Sequence, residues 1–202
     1  MIHGIINVYK EKGFTSHDVV AKLRRIVGQK KIGHTGTLDP DATGVLPVCL
    51  GKATKLCDLL TDKNKTYEAV LLLGKTTDTQ DITGEVLEEK STEALTEEKV
   101  REAIEGFIGD YEQIPPMYSA LKVNGKKLYE LAREGKVIER KARPVKILDI
   151  QILEIDLPKV RMEVSCSKGT YIRTLCHDIG EKLGCGGCME SLIRTRVSTF
   201  RI

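Results

Sequence analysis

The chain has 202 residues, of which 41% are hydrophobic and 30% charged, and its net charge is +3. These values are typical of a globular protein with a sizeable core and argue against a disordered chain. No apolar run approaches the roughly 18 residues that a membrane-spanning helix needs, and the first residues lack a basic, signal-like segment. We therefore expect a cytoplasmic protein that does not partner a membrane.

The first third of the sequence predicts alternating strands and helices. Apolar residues recur at helical spacing after Ser16, which we expect to cap a helix that ends at Gly28. Apolar and β-branched runs predict strands at 5–9, 45–50 and 66–73, with a short helix at 54–60.

The rest of the sequence continues this pattern without a regular repeat. Thr96 is predicted to cap a second helix and Thr170 a third, which Gly184 ends. Two further strands are predicted at 145–155 and 160–165. Strands interrupted by helices in this way indicate an α+β architecture around a mixed or antiparallel sheet.

The six cysteines are expected to be thiols, because the sequence shows no secretion signal. Cys185 and Cys188 form a lone CxxC pair in a glycine-rich segment, whereas a structural zinc site usually needs a second pair of ligands. We therefore predict no metal site and no cofactor.

Positive charge is concentrated in residues 122–146, which hold nine basic and three acidic residues, a balance of +6. A phosphate backbone would suit such a segment, because lysine and arginine displace condensed counterions. A solvated helix with Glu–Lys pairs explains the same composition equally well.

Residues 33–46 are the most informative segment, Gly-His-Thr-Gly-Thr-Leu-Asp-Pro-Asp-Ala-Thr-Gly-Val-Leu. Asp39 precedes Pro40, which fixes its own φ, and glycines on both sides permit tight backbone paths. A turn alone explains an isolated Asp-Pro pair. An acid placed in so constrained a segment is instead a candidate nucleophile.

Together with other segments in the same order along the chain, residues 33–46 closely resemble TruB-type pseudouridine synthases, which isomerise uridine in the T-arm of tRNA. The other matching segments are 15–20, 65–69, 74–84, 114–122, 166–173 and 191–197. The resemblance implies a pseudouridine-synthase fold, with a long curved sheet flanked by helices and a central catalytic cleft. It also implies a monomer without an obligate protein partner that acts on uridine at position 55 of the T-loop and flips it out of the RNA.

The resemblance also implies roles for individual residues. Asp39 is expected to be the nucleophile, attacking either the sugar or the base, with Arg173 holding it ionised and Tyr67 stacking on the target base. Tyr171 is expected to hydrogen-bond near the site and Leu192 to close the pocket. His34 corresponds to the histidine that enters the T-loop. The segment 122–146 corresponds to an RNA-gripping thumb, whose candidate contacts are Lys126, Lys127, Arg140 and Lys141.

The sequence departs from the family pattern in three places. Glu11 replaces the usual proline, and Ile193 replaces the first arginine of a Leu-Arg-Arg-Thr motif. The third departure concerns domain composition. Family members commonly carry a C-terminal PUA domain, whereas we expect a single catalytic domain over residues 1–202 and no PUA domain in this chain.

Two alternative functions are weighed against a stand-alone tRNA enzyme. The catalytic subunit of an RNA-guided pseudouridylation particle shares the Asp39 motif, but the intact basic segment 122–146 argues against it. An RNA-folding module without chemistry is disfavoured because Asp39, Tyr67 and Arg173 occur together.

Overall fold

The computed structural model describes all residues from Met1 to Ile202. The helices are α1 Ser16–Val27, α2 Cys57–Thr61, α3 Glu97–Glu105, α4 Leu128–Arg133 and α5 Ile172–Leu183, and a 3-10 helix spans Gly51–Leu56. The strands are β1 Gly4–Lys10, β2 Ile32–His34, β3 Thr43–Leu50, β4 Lys65–Leu73, β5 Lys75–Thr77, β6 Val86–Glu89, β7 Gly109–Gln113, β8 Lys122–Val123, β9 Lys126–Lys127, β10 Arg143–Asp156, β11 Lys159–Cys166, β12 Gly187–Val197 and β13 Phe200–Arg201. None of the helices combines the length and the hydropathy that crossing a membrane requires.

Helix α1 begins one residue earlier than predicted, because Thr15 and not Ser16 is its N-cap. Thr15 Oγ1 accepts from the Asp18 main-chain N–H at 3.0 Å, and the Asp18 carboxylate accepts from Thr15 N at 2.8 Å. This is a capping box, which satisfies two N–H groups at once. Ser16 is buried, and its Oγ accepts a hydrogen bond from Leu38 N at 2.9 Å instead. The predicted end is correct, since Gly28 adopts the left-handed conformation with φ +67°.

The N-cap of α5 was also predicted wrongly. Tyr171 occupies that position, and no side chain of its own caps the helix. The Tyr171 N–H instead donates to Gln113 Oε1 at 2.8 Å, so a distant side chain satisfies this N–H of the helix end. For α3, by contrast, Thr96 is the N-cap as predicted, and its side chain accepts from Lys99 N.

The predicted strands are confirmed as β1, β3, β4, β10 and β11, and the predicted short helix is in part a 3-10 helix followed by α2. The sequence did not predict β12, which runs from the glycine-rich turn through the matched segment 191–197. It also missed the β5–β6 hairpin and the small β8–β9 hairpin, whose strands are only two to four residues long.

The chain forms two compact units. Unit 1 comprises residues 1–69, 163–168 and 191–202, and unit 2 comprises residues 70–162 and 169–190. Strands β4, β11 and β12 each contribute residues to both units.

Unit 1 contains the strand order β1-β3-β12-β4-β11, with β2 and β13 pairing at β3 and β12. β3 is antiparallel to β1 but parallel to β12, so the sheet is mixed and the predicted α+β class is confirmed. Apolar side chains of α1 pack on this sheet, and the core contains Val20, Ile32, Leu46, Val48 and Leu50.

Unit 2 contains the order β4-β11-β10-β7, and α3 packs against α5. The β8–β9 hairpin and α4 have their own small apolar cluster, centred on Met117, Leu128 and Leu131.

Candidate active site

The loop that carries Asp39 is fastened to unit 1 by main-chain hydrogen bonds on both sides of the carboxylate. Ser16 Oγ binds the main chain of Leu38, the residue before Asp39. The Pro40 carbonyl accepts from Gly13 N at 2.9 Å, and the Asp39 carbonyl accepts from Ala42 N at 3.0 Å. These hydrogen bonds fix the position of the main chain at Asp39. The residue itself is half-buried.

Lys10 lies beneath this loop, and its side chain is fully buried. Its Nζ donates to the carbonyls of Phe14 at 2.6 Å, Glu11 at 3.0 Å and Pro40 at 3.3 Å. Burial lowers the pKa of Lys10, while the Asp39 carboxylate acts in the opposite direction. A buried cation thus ties the strand β1 to the loop next to Asp39.

Arg194 holds the other side of the loop, and only 1% of it is exposed. Its guanidinium donates to the carbonyls of Val45 at 2.9 Å and of Thr37 and Gly36 at 3.3 Å each. The β12–β3 register places Arg194 opposite Gly44, where an added Cβ would lie 2.2 Å from the Arg194 carbonyl oxygen. Glycine at position 44 therefore permits the close approach that brings the guanidinium to the loop.

Tyr67, on β4, is buried close to the same guanidinium. Burial raises the pKa of Tyr67 to about 12, and the nearby Arg194 charge opposes that shift. The phenol is accordingly neutral near pH 7, where it can donate a proton or a hydrogen bond.

Lys65, two residues before Tyr67, is also buried, and burial lowers its pKa to about 8. Its Nζ donates to the Thr61 and Lys63 carbonyls, each at 2.8 Å. Leu192 is buried two residues before Arg194 on β12, so their side chains lie on one face of the strand. Unit 1 therefore gathers the predicted residues Asp39, Tyr67 and Leu192 with cations that the sequence had not singled out.

His34, at the end of β2, lies edge-to-face with His17 at a ring-centroid distance of 5.4 Å. Burial lowers the pKa of His34, and the neighbouring His17 acts in the same direction. At neutral pH its imidazole is therefore uncharged.

Tyr171 and Arg173 lie in unit 2 at the start of α5. The buried Gln113 side chain holds Tyr171 by both main-chain groups, since its Oε1 accepts from Tyr171 N at 2.8 Å and its Nε2 donates to Tyr171 O at 3.0 Å. Arg173 is 6% exposed, and its guanidinium donates to Thr79 O at 3.1 Å and Tyr118 O at 2.9 Å. Both residues are thus fixed by contacts to segments distant in sequence.

The predicted thumb residues have varied surroundings. Lys126 lies 3.9 Å from the Glu134 carboxylate, and Lys127 Nζ donates to the Tyr129 hydroxyl at 3.2 Å. Arg140 is half-buried, which lowers its pKa, and Lys141 is exposed. The segment contains a hairpin followed by the short helix α4, so a helix forms only part of it, while Glu134 pairs with both Lys126 and Lys136 as the solvated-helix alternative expects.

No group of three or more His, Cys, Asp or Glu side chains is arranged to hold a metal ion. All six cysteines are free thiols. Cys185 and Cys188 are buried, and Cys188 lies within strand β12.

Two family models cover most of the chain. The N-terminal domain of the TruB family pseudouridylate synthases matches residues 24–172, and the C-terminal domain of tRNA pseudouridylate synthase B matches residues 173–202. The chain belongs to the TruB family. The predicted family and the predicted class of enzyme, a tRNA pseudouridine synthase, are thereby confirmed.

Named relatives of this TruB-family chain are similar along its whole length. It is 68% identical to the tRNA pseudouridine synthase B of Lachnoclostridium phytofermentans and 56% identical to that of Alkaliphilus oremlandii, spanning 100% of this chain and 68% and 67% of those proteins. In a crystal structure of a Cbf5-Nop10-Gar1 complex, a chain 36% identical over 98% of this one superposes with a TM-score of 0.77. This chain spans about half of that one, 50%. A structure described as a pseudouridylate synthase, 15% identical with a TM-score of 0.51, shares the fold, so the predicted pseudouridine-synthase fold is confirmed.

Sequence reasoning missed three residues of this TruB-family site, namely Lys10, Arg194 and Gln113. Arg194 lies in the matched segment 191–197, next to the position of the missing arginine, but was not predicted as a site residue. Lys10 directly follows the predicted strand 5–9, and Gln113 precedes the matched segment 114–122. A charged or amide side chain next to apolar neighbours was the available signal, because such groups are rarely buried without a defined set of partners.

Proposed function

We propose that this chain converts uridine to pseudouridine at position 55 of the tRNA T-loop, with Asp39 as the nucleophile. The observation that carries the proposal is the fastening of the Asp39 loop by the buried cations Lys10 and Arg194. Positive charge favours the ionised form of a carboxylate, and a fixed main chain holds it in one attacking geometry.

The reaction is an isomerisation, so every heavy atom of the uridine is retained, and the hydrogen on C5 is released to solvent while N1 gains a proton. The Asp39 carboxylate forms a covalent bond to the nucleoside, the N1–C1′ bond breaks, and the uracil turns. A C5–C1′ bond then forms, C5 loses its proton, N1 gains one, and the carboxylate is released. Tyr67, which is neutral, stacks against the base and supplies a hydroxyl for proton transfer.

The target base must leave the RNA fold before Asp39 can reach it. We assign His34 to the space that the flipped nucleotide vacates, because an uncharged imidazole stacks among bases at a low desolvation cost. The thumb residues Lys126, Lys127, Arg140 and Lys141 are assigned to the phosphates of the T-arm.

The deciding experiment uses the chain alone with an unmodified T-arm stem-loop carrying tritium at C5 of the target uridine. We expect tritium release, with pseudouridine confirmed at that position by sequencing chemistry. A stem-loop with cytidine at the target position is the control. Activity that appears only with a guide RNA and accessory proteins would favour the RNA-guided particle, and stoichiometric binding without product would favour an RNA-folding module.

A further inference from the structure

Residues 22–31 are a second basic segment, covering the end of α1 and the turn that follows. Five of these ten residues are lysine or arginine, and no acidic residue lies between Asp18 and Asp39. The segment 122–146 has nine basic residues but also three acidic ones. Positive charge in 22–31 is therefore denser and has no carboxylate within the segment to balance it.

This basic segment borders an open groove of about 490 Å³ that lies entirely within unit 1. Arg24, Lys30 and Lys31 line one part of it, His17 and His34 another, and no carboxylate lines it anywhere. The imidazole of His34 therefore lines the same groove as the cationic side chains.

The main chain that presents the two lysines is held in place. The buried Gln29 side chain accepts from Ile2 N at 2.8 Å and donates to Ile2 O at 3.0 Å. The Lys31 carbonyl accepts from Gly51 N at 2.8 Å. A ligand meeting these side chains therefore needs to order only the side chains themselves, which lowers the entropic cost of binding.

Cations at a helix C-terminus also offset the helix dipole, and this explains part of the segment. Arg24, in the last turn of α1, donates through Nε to the Lys30 carbonyl at 3.0 Å. Lys30 and Lys31, however, lie beyond the left-handed Gly28, are exposed and take part in no ion pair of the structure. Neither capping nor ion pairing accounts for them.

We propose that this groove binds the phosphodiester backbone of the RNA substrate, next to the position from which the target nucleotide is flipped and which His34 occupies. Lys30 and Lys31 neutralise phosphates there, and the adjoining imidazoles of His17 and His34 present ring faces to the neighbouring base. The inference rests on the proposed function for its choice of RNA, and it adds a second phosphate-binding surface to the thumb.

Cys57 provides a test in the unaltered chain, because its half-exposed thiol lines the groove while the other five cysteines are buried. Alkylation of Cys57 by iodoacetamide is followed by peptide mass spectrometry with increasing T-arm stem-loop. We expect labelling to be lost in proportion to the fraction of chain bound to RNA. An unchanged labelling rate at saturating RNA overturns the proposal, and a Cys57→Ser chain verifies the labelled site.

A second test replaces Lys30 and Lys31 with Gln and measures RNA affinity at several salt concentrations. Removing two lysine–phosphate pairs should reduce the magnitude of the log–log salt slope by about 1.4–1.8. The control replaces Lys99 and Arg101 with Gln, two exposed cations on α3 whose removal changes the net charge equally. Equal slopes in the two double variants contradict the groove assignment.

Pseudouridine formation by the native chain is measured in the same preparations. If pseudouridine forms but RNA does not protect Cys57 from alkylation, the groove is rejected as an RNA site while the proposed function is supported. Cys57 protection and a reduced slope without product support the groove as an RNA site and reject the proposed function.

Discussion

The two compact units of this TruB-family chain use positive charge in different ways. In unit 1, the cations Lys10 and Arg194 are buried around the Asp39 loop, and the basic segment 22–31 contains no acid. In unit 2, the neutral amide of Gln113 holds Tyr171, and thumb cations such as Lys126 lie beside glutamates.

This difference separates two physical tasks. A loop that presents a carboxylate gains from cations, which donate hydrogen bonds and also favour the ionised acid. The helix start that presents Tyr171 is aligned by an uncharged amide, which adds no further charge that must be desolvated. Charge-changing variants should therefore affect the chemistry mainly in unit 1, and position-changing variants mainly in unit 2.

The largest expected effect comes from Asp39→Asn, which removes the proposed nucleophile. We expect turnover to fall by more than about 10³-fold, because loss of a nucleophile removes the covalent path. RNA affinity should stay close to that of the native chain, since phosphate contacts dominate it. Tritium release and binding isotherms measure the two effects.

The matched control for this variant is Asp41→Asn in the same loop. Asp41 is exposed and pairs at 3.7 Å only with the exposed Lys12. Near-native turnover is expected for it. Substantial turnover by an Asp39→Asn chain shown to be free of deamidation would sink the assignment of the nucleophile.

The next largest effect is expected for Arg173→Lys in unit 2. Lysine keeps the charge but cannot reproduce the planar fork that reaches both the Thr79 and Tyr118 carbonyls. We expect kcat to fall about 10²-fold with little change in RNA affinity, because small misplacements of catalytic groups have effects of this size. Single-turnover kinetics at saturating RNA provide the measurement, and native kcat would exclude a role for the fork.

Arg194 tests the cation in unit 1 by two substitutions. Arg194→Met leaves the buried Val45 carbonyl and the part-buried Thr37 and Gly36 carbonyls without their donor. A buried acceptor left without a partner costs about 1–3 kcal/mol and a part-buried one less, so we expect a clear loss of stability. Arg194→Lys retains the charge and part of the hydrogen bonding, and it should fold with kcat reduced about tenfold or more.

Denaturant unfolding and kinetic measurements on the Arg194→Met and Arg194→Lys variants separate the effect of Arg194 on stability from its effect on catalysis. If Arg194→Lys is as inactive as Arg194→Met while folding normally, geometry and not charge is decisive at this loop. The contrast between the two units would then fail.

How much of this arrangement is visible in the sequence depends on how local its causes are. The Asp39 loop and the N-cap of α3 were predictable because glycine, proline and threonine act on their own neighbourhood. Strand β12 was not, because its parallel pairing with β3 joins Arg194 to Gly44, far apart in the chain. The misplaced cap of α5 has a similar origin, since Tyr171 is bound by Gln113, which is distant in sequence. The missed cap of α1 is different, because the capping box of Thr15 and Asp18 is local.

The site shows the same division between local and long-range causes. The resemblance supplied Asp39, Tyr67 and Leu192, which the structure places in unit 1 near Arg194. The roles of Lys10 and Gln113 depend on which carbonyls and N–H groups the fold brings to them, and no local periodicity encodes that.

A smaller effect is expected for Gln113→Glu, which keeps an acceptor for Tyr171 N but removes the donor to Tyr171 O. We expect kcat to fall about tenfold while RNA affinity is unchanged, because only the placement of Tyr171 is altered. Gln113→Met, which retains neither hydrogen bond, should be slower still. A variant that changes affinity and leaves kcat intact would show that Gln113 does not act through Tyr171.

The smallest effect on catalysis is expected from replacing the four thumb residues Lys126, Lys127, Arg140 and Lys141 with Ala. If these residues grip the T-arm, RNA binding should weaken and the salt slope should flatten by up to about 0.7–0.9 for each phosphate that is no longer neutralised. The rate at saturating RNA should change little, since none of the four is assigned to the flipped base.

The two units predict different changes per cation removed. Lys126 already lies beside Glu134, and Lys127 binds the Tyr129 hydroxyl. Each of them therefore loses an existing interaction when it binds a phosphate. Lys30 and Lys31 have no ion pair to give up. The salt slope should therefore change less per residue in the quadruple thumb variant than in the Lys30→Gln, Lys31→Gln chain. A larger change per residue in the thumb would mean that its glutamates do not offset its cations once RNA is bound, and it would make unit 2 the principal phosphate-binding surface.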